Sequence, residues 1–323
     1  ILRNTNVLFE HNTVANGFNG PRSGGSSSKF VVDGGIFRFN KIFSHKGSGI
    51  TVGTYNNNMI SRETRFYNNV FDDNAGPFGD ELKNVNLKIE SYGNHDQLRD
   101  TDFLNNVFSR GGSAEVAVGR LGGGSRVEFY SNNFFNPDGD PEVRRASWSS
   151  PEYLTVSEAE DRFPSLWRDN LKQEPGFAGG EYDFRLSDSS PLRDRGAFLT
   201  EAENSGPGTR LEVEDPNFFF DGYGIEGEKG DIIQVGSETA RIQSINGETL
   251  KLDSGINWES GDPVGLPWSG SRPDIGVYEG GNRKQVIVEK NKFSASNGES
   301  VSFRADLRGI SDPQQICWQF GDG

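Results

Sequence analysis

One short phrase recurs five times within the first 135 residues: phenylalanine, two residues, asparagine, one residue, then a bulky apolar residue. The copies are Phe9/Asn12/Val14, Phe37/Asn40/Ile42, Phe66/Asn69/Phe71, Phe103/Asn106/Phe108 and Phe129/Asn132/Phe134, and they start 28, 29, 37 and 26 residues apart. A repeat spacing of about 20–50 residues marks stacked architectures, in which no single unit buries its own core. The phrase is too short for a helical repeat and its composition is strand-like. Within a copy such as Val7 to Val14, period-two alternation puts Val7 and Phe9 on one strand face, with Leu8 and Glu10 on the other. Asn12 then reads as the corner, because asparagine tolerates left-handed backbone angles and bonds neighbouring backbone groups. Stacked corners would bring these asparagines about 4.8 Å apart, where their amides can form a ladder.

The bulk numbers fit such a stack. A hydrophobic content of 33% with 42 glycines suits a thin core and many turns, while 24 phenylalanines oppose disorder. The formal charge of −14, from 33 basic against 47 acidic side chains, lacks the basic stripe that a nucleic-acid partner requires. No apolar run is long enough to span a membrane. The single Cys317 reads as a small buried residue rather than a nucleophile. Because Ile1 falls just before a full repeat, the chain reads as a fragment of something longer.

The repeat pattern resembles the right-handed parallel β-helix proteins of the pectate-lyase-like class. Residues 1–204 are assigned to that helix and its closing segment. Glu181 to Leu186, Ser190-Pro191-Leu192, Arg195-Gly196 and the later Pro273-Asp274-Ile275-Gly276-Val277-Tyr278-Glu279 are similar to the closing stretches of many bacterial β-helix proteins. Ser157 to Glu160 reads as a capping box opening a short helix towards Trp167, with Pro164 interrupting it. Residues 205–282 read as a small all-β insertion, a barrel or sandwich capping the end of the solenoid, in which Asn246-Gly247 marks a hairpin. From residue 283 the chain resembles the start of an immunoglobulin-like PKD sandwich, whose Trp-x-Phe-Gly-Asp-Gly hallmark stands at Trp318 to Gly323. The expected fold is therefore all-β.

The repeat register also sorts the outward residues. Those flanking each phenylalanine include Arg38, Arg65, Tyr67 and Tyr130, which stacking brings towards one face. Guanidinium forks bind carboxylates or sulfates bidentately and tyrosine rings stack on sugars, so these four are the candidate substrate-binding residues. The alternative is a solvated face with Glu10–Arg38 and Arg65–Asp102 pairs across rungs. His45 and Lys46, in a loop near the Arg38 rung, are the candidate catalytic residues, since elimination from a uronic polymer needs a base. Asp138, Asp140 and Glu142 carry oxygen donors at alternate positions and could hold Ca²⁺, though a plain Asp/Gly/Pro turn is the preferred reading of them.

The resemblance implies a secreted or cell-surface bacterial or archaeal protein directed at polysaccharide, of lyase or glycosidase type acting on acidic glycans. The alternatives are a non-catalytic structural, adhesion or filament protein, or a carbohydrate-binding module. Expected partners are a polysaccharide or cell-surface glycan, with self-assembly through further repeats or PKD modules.

Overall fold

The computed structural model describes residues 2–17, 22–23, 30–54, 61–74, 84–91, 98–119, 121, 125–139, 141–147, 150–180, 182–280, 285–290 and 303–308. They fall into two compact units, Ile1–Glu279 and Gly280–Gly323. In the second, Gln285–Lys290 pairs antiparallel with Phe303–Arg308. The Trp318 to Gly323 motif lies outside the described residues.

Three sheets of parallel strands run through the first 170 residues, and each strand pairs with its equivalent in the next repeat. The first sheet comprises Leu2–Glu10, Phe30–Arg38, Ser61–Tyr67, Leu98–Leu104, Val127–Tyr130 and Trp167–Arg168. The second holds Thr13–Ala15, Lys41–Phe43, Val70–Asp72, Val107–Ser109 and Asn133–Phe135. The third holds Arg22–Ser23, Ile50–Thr54, Val85–Ser91, Ala114–Val118 and Val143–Ser147, with Ser150–Leu154 added antiparallel at its edge. This all-β arrangement is consistent with a β-helix-like solenoid.

The repeated phenylalanines pair in register, Phe9 to Phe37 to Phe66 to Phe103 to Phe129. Their rings stack inside, at 4.6 Å from Phe37 to Phe66 and from Phe66 to Phe103. Trp167 continues the column 4.1 Å beyond Phe129. It belongs to a sixth copy, Trp167/Asn170, which the sequence pattern misses because tryptophan replaces phenylalanine and Lys172 stands where the apolar residue should be.

The asparagine ladder is present. Each Nδ2 donates to the next coil's Oδ1, from Asn12 through Asn40, Asn69, Asn106 and Asn132 to Asn170, at 2.9–3.1 Å. The left-handed corner residue, however, is the one before each asparagine: His11, Phe39, Asn68, Asn105, Ser131 and Asp169 have φ of 52–55°. The backbone bends there, which leaves the asparagine side chain free to bridge coils.

The helix Val156–Arg162 starts two residues earlier than the capping-box reading, with Thr155 as N-cap and Glu158 completing the box. It stops just before Phe163-Pro164, as the restriction on residues preceding proline requires. Val156 and Ala159 enter the solenoid core beside Trp167, so this helix closes the last coil. Glu160 is not a capping residue but accepts from the Asn170 amide and backbone N–H at 3.0 and 2.8 Å.

Residues 200–265 form a six-stranded sheet, and Asn246 and Thr249 do close a hairpin with Gly247 at φ 59°. The sheet's end strands, Thr200–Glu201 and Gly206–Glu212, meet through an Ala202–Val213 bridge and flanking backbone hydrogen bonds, so it curls into a small barrel. The barrel does not sit on the end of the solenoid. Its core residues Leu211, Phe218 and Phe219 pack with Ile36, Tyr67 and Leu104 on the outer face of the first sheet. The closing stretches cover the second sheet instead, placing Phe184, Leu192, Ile275 and Val277 against Phe43, Val70 and Val107. Gly276 suits that stretch because its φ is +117°, a backbone angle that residues with a Cβ rarely adopt.

Candidate functional site

The outer face of the first sheet carries two rows of register-matched residues. One runs Leu8, Ile36, Arg65, Asp102, Glu128 and the other Glu10, Arg38, Tyr67, Leu104, Tyr130, Arg168. The Glu10–Arg38 and Arg65–Asp102 pairs form, at 2.7 and 3.3 Å. The face is not solvated, because the barrel covers much of it.

That cover changes what the predicted residues can do. Arg38 is buried and donates from both terminal nitrogens to the Asp231 carboxylate of the barrel at 2.7 Å, while Nη1 also reaches the Tyr67 hydroxyl at 2.9 Å. Burial works against its charge, but Tyr67, Asp231 and Glu10 overcome it and hold the guanidinium pKa well above its ordinary value. Tyr67 is fully buried, its hydroxyl donating to the Phe218 carbonyl at 2.7 Å, and burial pushes its pKa up. Arg38 and Tyr67 therefore fasten the barrel to the coils and are not an open surface for a glycan.

Arg65 and Tyr130 lie where the barrel lifts away and a cleft of about 920 Å³ opens. Its floor is Arg65, Asp102, Glu128, Tyr130 and Arg168; its other wall includes Phe198, Asp215, Phe218 and the hairpin tip at Gly247-Glu248. Arg65 is divided between two carboxylates, donating to Asp215 Oδ2 at 2.7 Å and lying 3.3 Å from Asp102. Burial pushes the Asp102 carboxyl up to about 6; Glu128 and Asp215 add to the rise and Arg65 opposes it. Glu128, paired register-wise with Asp102, accepts from Arg168 at 2.7 Å and from Arg126. The Arg168 guanidinium lies 4.2 Å over the Tyr130 ring, and that of Arg272 lies 5.7 Å from Phe198. Carboxylates, forked donors and aromatic rings thus converge on one cavity.

The remaining predicted residues are elsewhere. His45 is buried at the corner between the second and third sheets, where its Nδ1 accepts the Gly17 N–H at 3.1 Å. Burial lowers its pKa, against backbone contacts to Gly17 and Val14. Its own N–H continues a second polar column through Asn74 and Asn86 to Glu115. Lys46 is exposed, and its backbone donates to Gly17. Neither faces the cleft. Asp138 sits on an exposed turn whose N–H bonds to Asn136 Oδ1 at 3.1 Å, and Asp140 lies outside the described residues. Glu142 is fully buried, engaged by Lys172 and by the Val156 N–H, so it turns away from Asp138.

Asp102 and Glu128 were readable as outward residues, but nothing local announced them as a pair in a cleft. Asp215 and Asp231 lie 150 and 193 residues from the arginines they bind, with no spacing signal to connect them. Comparison with protein-family models, curated proteins and solved structures finds no match for this chain.

Proposed function

We propose that this chain belongs to a secreted or cell-surface protein directed at polysaccharide, with the cleft between solenoid and barrel as its glycan site. The observation that carries the reading is the convergence of Asp102 and Glu128 with Tyr130 and Phe198 on one cavity. Sugar rings offer apolar faces to aromatic side chains and hydroxyls to carboxylates and guanidinium groups. A right-handed, pectate-lyase-like β-helix is the finer fold reading that goes with it, supported by the parallel register and the asparagine ladder, and the PKD-like module after it rests on the sequence motif at Trp318 to Gly323.

Of the enzymatic alternatives, glycosidase chemistry suits the cleft better than elimination. Hydrolysis needs one carboxyl held protonated beside a second that stays ionised. Asp102, pushed up to about 6 by burial, fits the acid. Glu128, its direct neighbour on the next strand and paired with Arg126 and Arg168, fits the partner. Elimination from a uronic polymer would need cations free to neutralise substrate carboxylates, and Arg65, Arg126 and Arg168 are engaged by carboxylates of the cleft itself. The test is release of new reducing ends from a panel of glycans. Asp102→Asn should lower the rate at least about a hundredfold while retaining binding; a rate unchanged in that variant removes Asp102 from catalysis.

One observation favours a second, non-catalytic reading. Arg38, Arg65 and Tyr67 all join solenoid to barrel, as a stiff adhesion or spacer element would require. Retention on a glycan in affinity electrophoresis without turnover identifies that case.

A further inference from the structure

Arg65 has two carboxylates within reach and treats them differently. Its Nη2 and Nε both donate to Asp215 Oδ2 of the barrel, at 2.7 and 3.0 Å. Asp102 Oδ2 lies 3.3 Å from the same Nε, yet its carboxyl receives no hydrogen bond from Arg65 or from any other donor among the described residues. The third nitrogen, Nη1, turns back to the Asp100 carbonyl, and the guanidinium lies 5.2 Å over the Phe218 ring of the barrel. Asp215 is itself anchored. Its Oδ1 accepts the Asn217 N–H at 2.9 Å, capping the short turn Pro216–Phe218, and its own N–H donates to the Thr200 hydroxyl at 2.9 Å.

Asp102 is faced by Arg65 from the preceding strand, by Glu128 and Tyr130 from the following one, by Arg126 just ahead of that strand, and by Asp215 from the barrel. Arg126 is engaged by Glu128, as is Arg168. Glu63, Glu201, Glu214, Glu248 and Arg272 line the cleft at exposed positions. Every cation close to Asp102 is thus committed to another acceptor. A half-closed carboxyl without donors favours its neutral form, and burial, assisted by Glu128 and Asp215 against Arg65, raises this one to about 6.

We propose that Asp215 is a positioning residue for the acid of the cleft: by holding the Arg65 fork on the barrel side it keeps hydrogen-bond donors from Asp102, which therefore retains a proton for the glycosidic oxygen. This inference rests on the glycosidase reading above and adds that the acid is set by a residue 150 positions from Arg65 in sequence. The barrel then does more than cover the sheet. With Arg65 released, Asp102 would be an ordinary ion-paired carboxylate with no proton to give. Asp102 passes its proton to the leaving oxygen as the glycosidic C–O bond breaks. Over a full turnover one water supplies the hydroxyl at the sugar carbon and the proton that restores Asp102.

The titration of Asp102 is read by ¹³C NMR of protein labelled at the aspartate carboxyls, its resonance assigned by its loss in Asp102→Asn. Asp215→Asn keeps a cap acceptor for the Asn217 N–H but removes the charge that holds Arg65. The freed fork and the lost negative neighbour act in one direction, so Asp102 should titrate at least about one unit lower than in the wild type. The alkaline limb of kcat/KM should move down equally, a loss of about tenfold at pH 7 that fades towards about pH 4. A residue that only braces the barrel would lower the rate alike at every pH. Glu214→Gln removes a charge from the same wall without touching Arg65 and should move Asp102 by less than about 0.3 unit. If Asp215→Asn does not fold, Asp215→Ser offers a hydroxyl cap and gives the same reading. An unmoved Asp102 in either folded variant, or an equal shift in Glu214→Gln, overturns the assignment. Wild-type protein that releases no reducing ends from any glycan removes the glycosidase reading instead, and the titration still decides what Asp215 does to Asp102.

Discussion

The two faces of the first sheet are built from alternate residues of the same strands, yet they solve different problems. Inside, one residue type repeats: Phe9, Phe37, Phe66, Phe103 and Phe129 stack in a column that Trp167 completes. Outside, neither row keeps one residue type from coil to coil. Ile36, Tyr67 and Leu104 join the barrel core, Arg38 and Arg65 bind its aspartates, and Asp102 and Glu128 face the cleft. The inner face is cohesive because each coil offers the next an identical partner. The outer face is specific because each residue answers one particular residue of a remote segment.

The largest effect should come from the inner column. Phe103 is fully buried between rings 4.6 and 4.8 Å away. Its change to alanine should cost about 3–5 kcal/mol in urea unfolding; a loss below about 1 kcal/mol would deny the column its cohesive role. Next is the coil–barrel clamp. Asp231→Ala leaves the buried Arg38 guanidinium with Glu10 as its one remaining carboxylate and should cost about 3 kcal/mol, most of it recovered when Arg38→Met is added. A double-mutant cycle showing no coupling would mean that the barrel is held by its apolar contacts alone.

A pH-dependent effect is confined to residues outside the phenylalanine column. Asp102 releases its proton at about 6 when folded against 3.8 when unfolded, and Glu115 at about 8 against 4.5, both through burial. For a raised carboxyl pKa, the stabilisation is complete below the unfolded value and is lost as pH climbs through the folded one. Stability should therefore decline between about pH 4 and pH 8, and Glu115→Gln with Asp102→Asn should flatten that slope. Phe103→Ala should lower the whole curve without changing its shape.

These contrasts explain what a reader of the sequence can and cannot see. Phe-x-x-Asn was readable because repetition itself is the signal, and register then placed Glu10 beside Arg38 and Arg65 beside Asp102. The backbone bend was assigned one residue late, since an asparagine suits both a left-handed turn and a side-chain ladder. The sixth coil escaped because Trp167 and Lys172 break the pattern where the solenoid meets its closing helix. The barrel's position could not be read at all. Alternation in residues 230–252 identifies strands but says nothing about which sheet will receive their apolar side, and that choice decides whether Arg38 is a hand or a bolt.

Glu160 gives the asparagine ladder a sense of direction. From Asn40 onward, each asparagine Oδ1 receives both the backbone N–H and the amide of the coil before it, and Glu160 receives the same two donors from Asn170. In a polymer, a growing end is one that shows the next monomer the same face as every link before it. Here the carboxylate mimics the next link's acceptor but has no amide to offer onward. It is a chain terminator written into a side chain, and it makes this end of the column a finished surface that another molecule's ladder cannot extend.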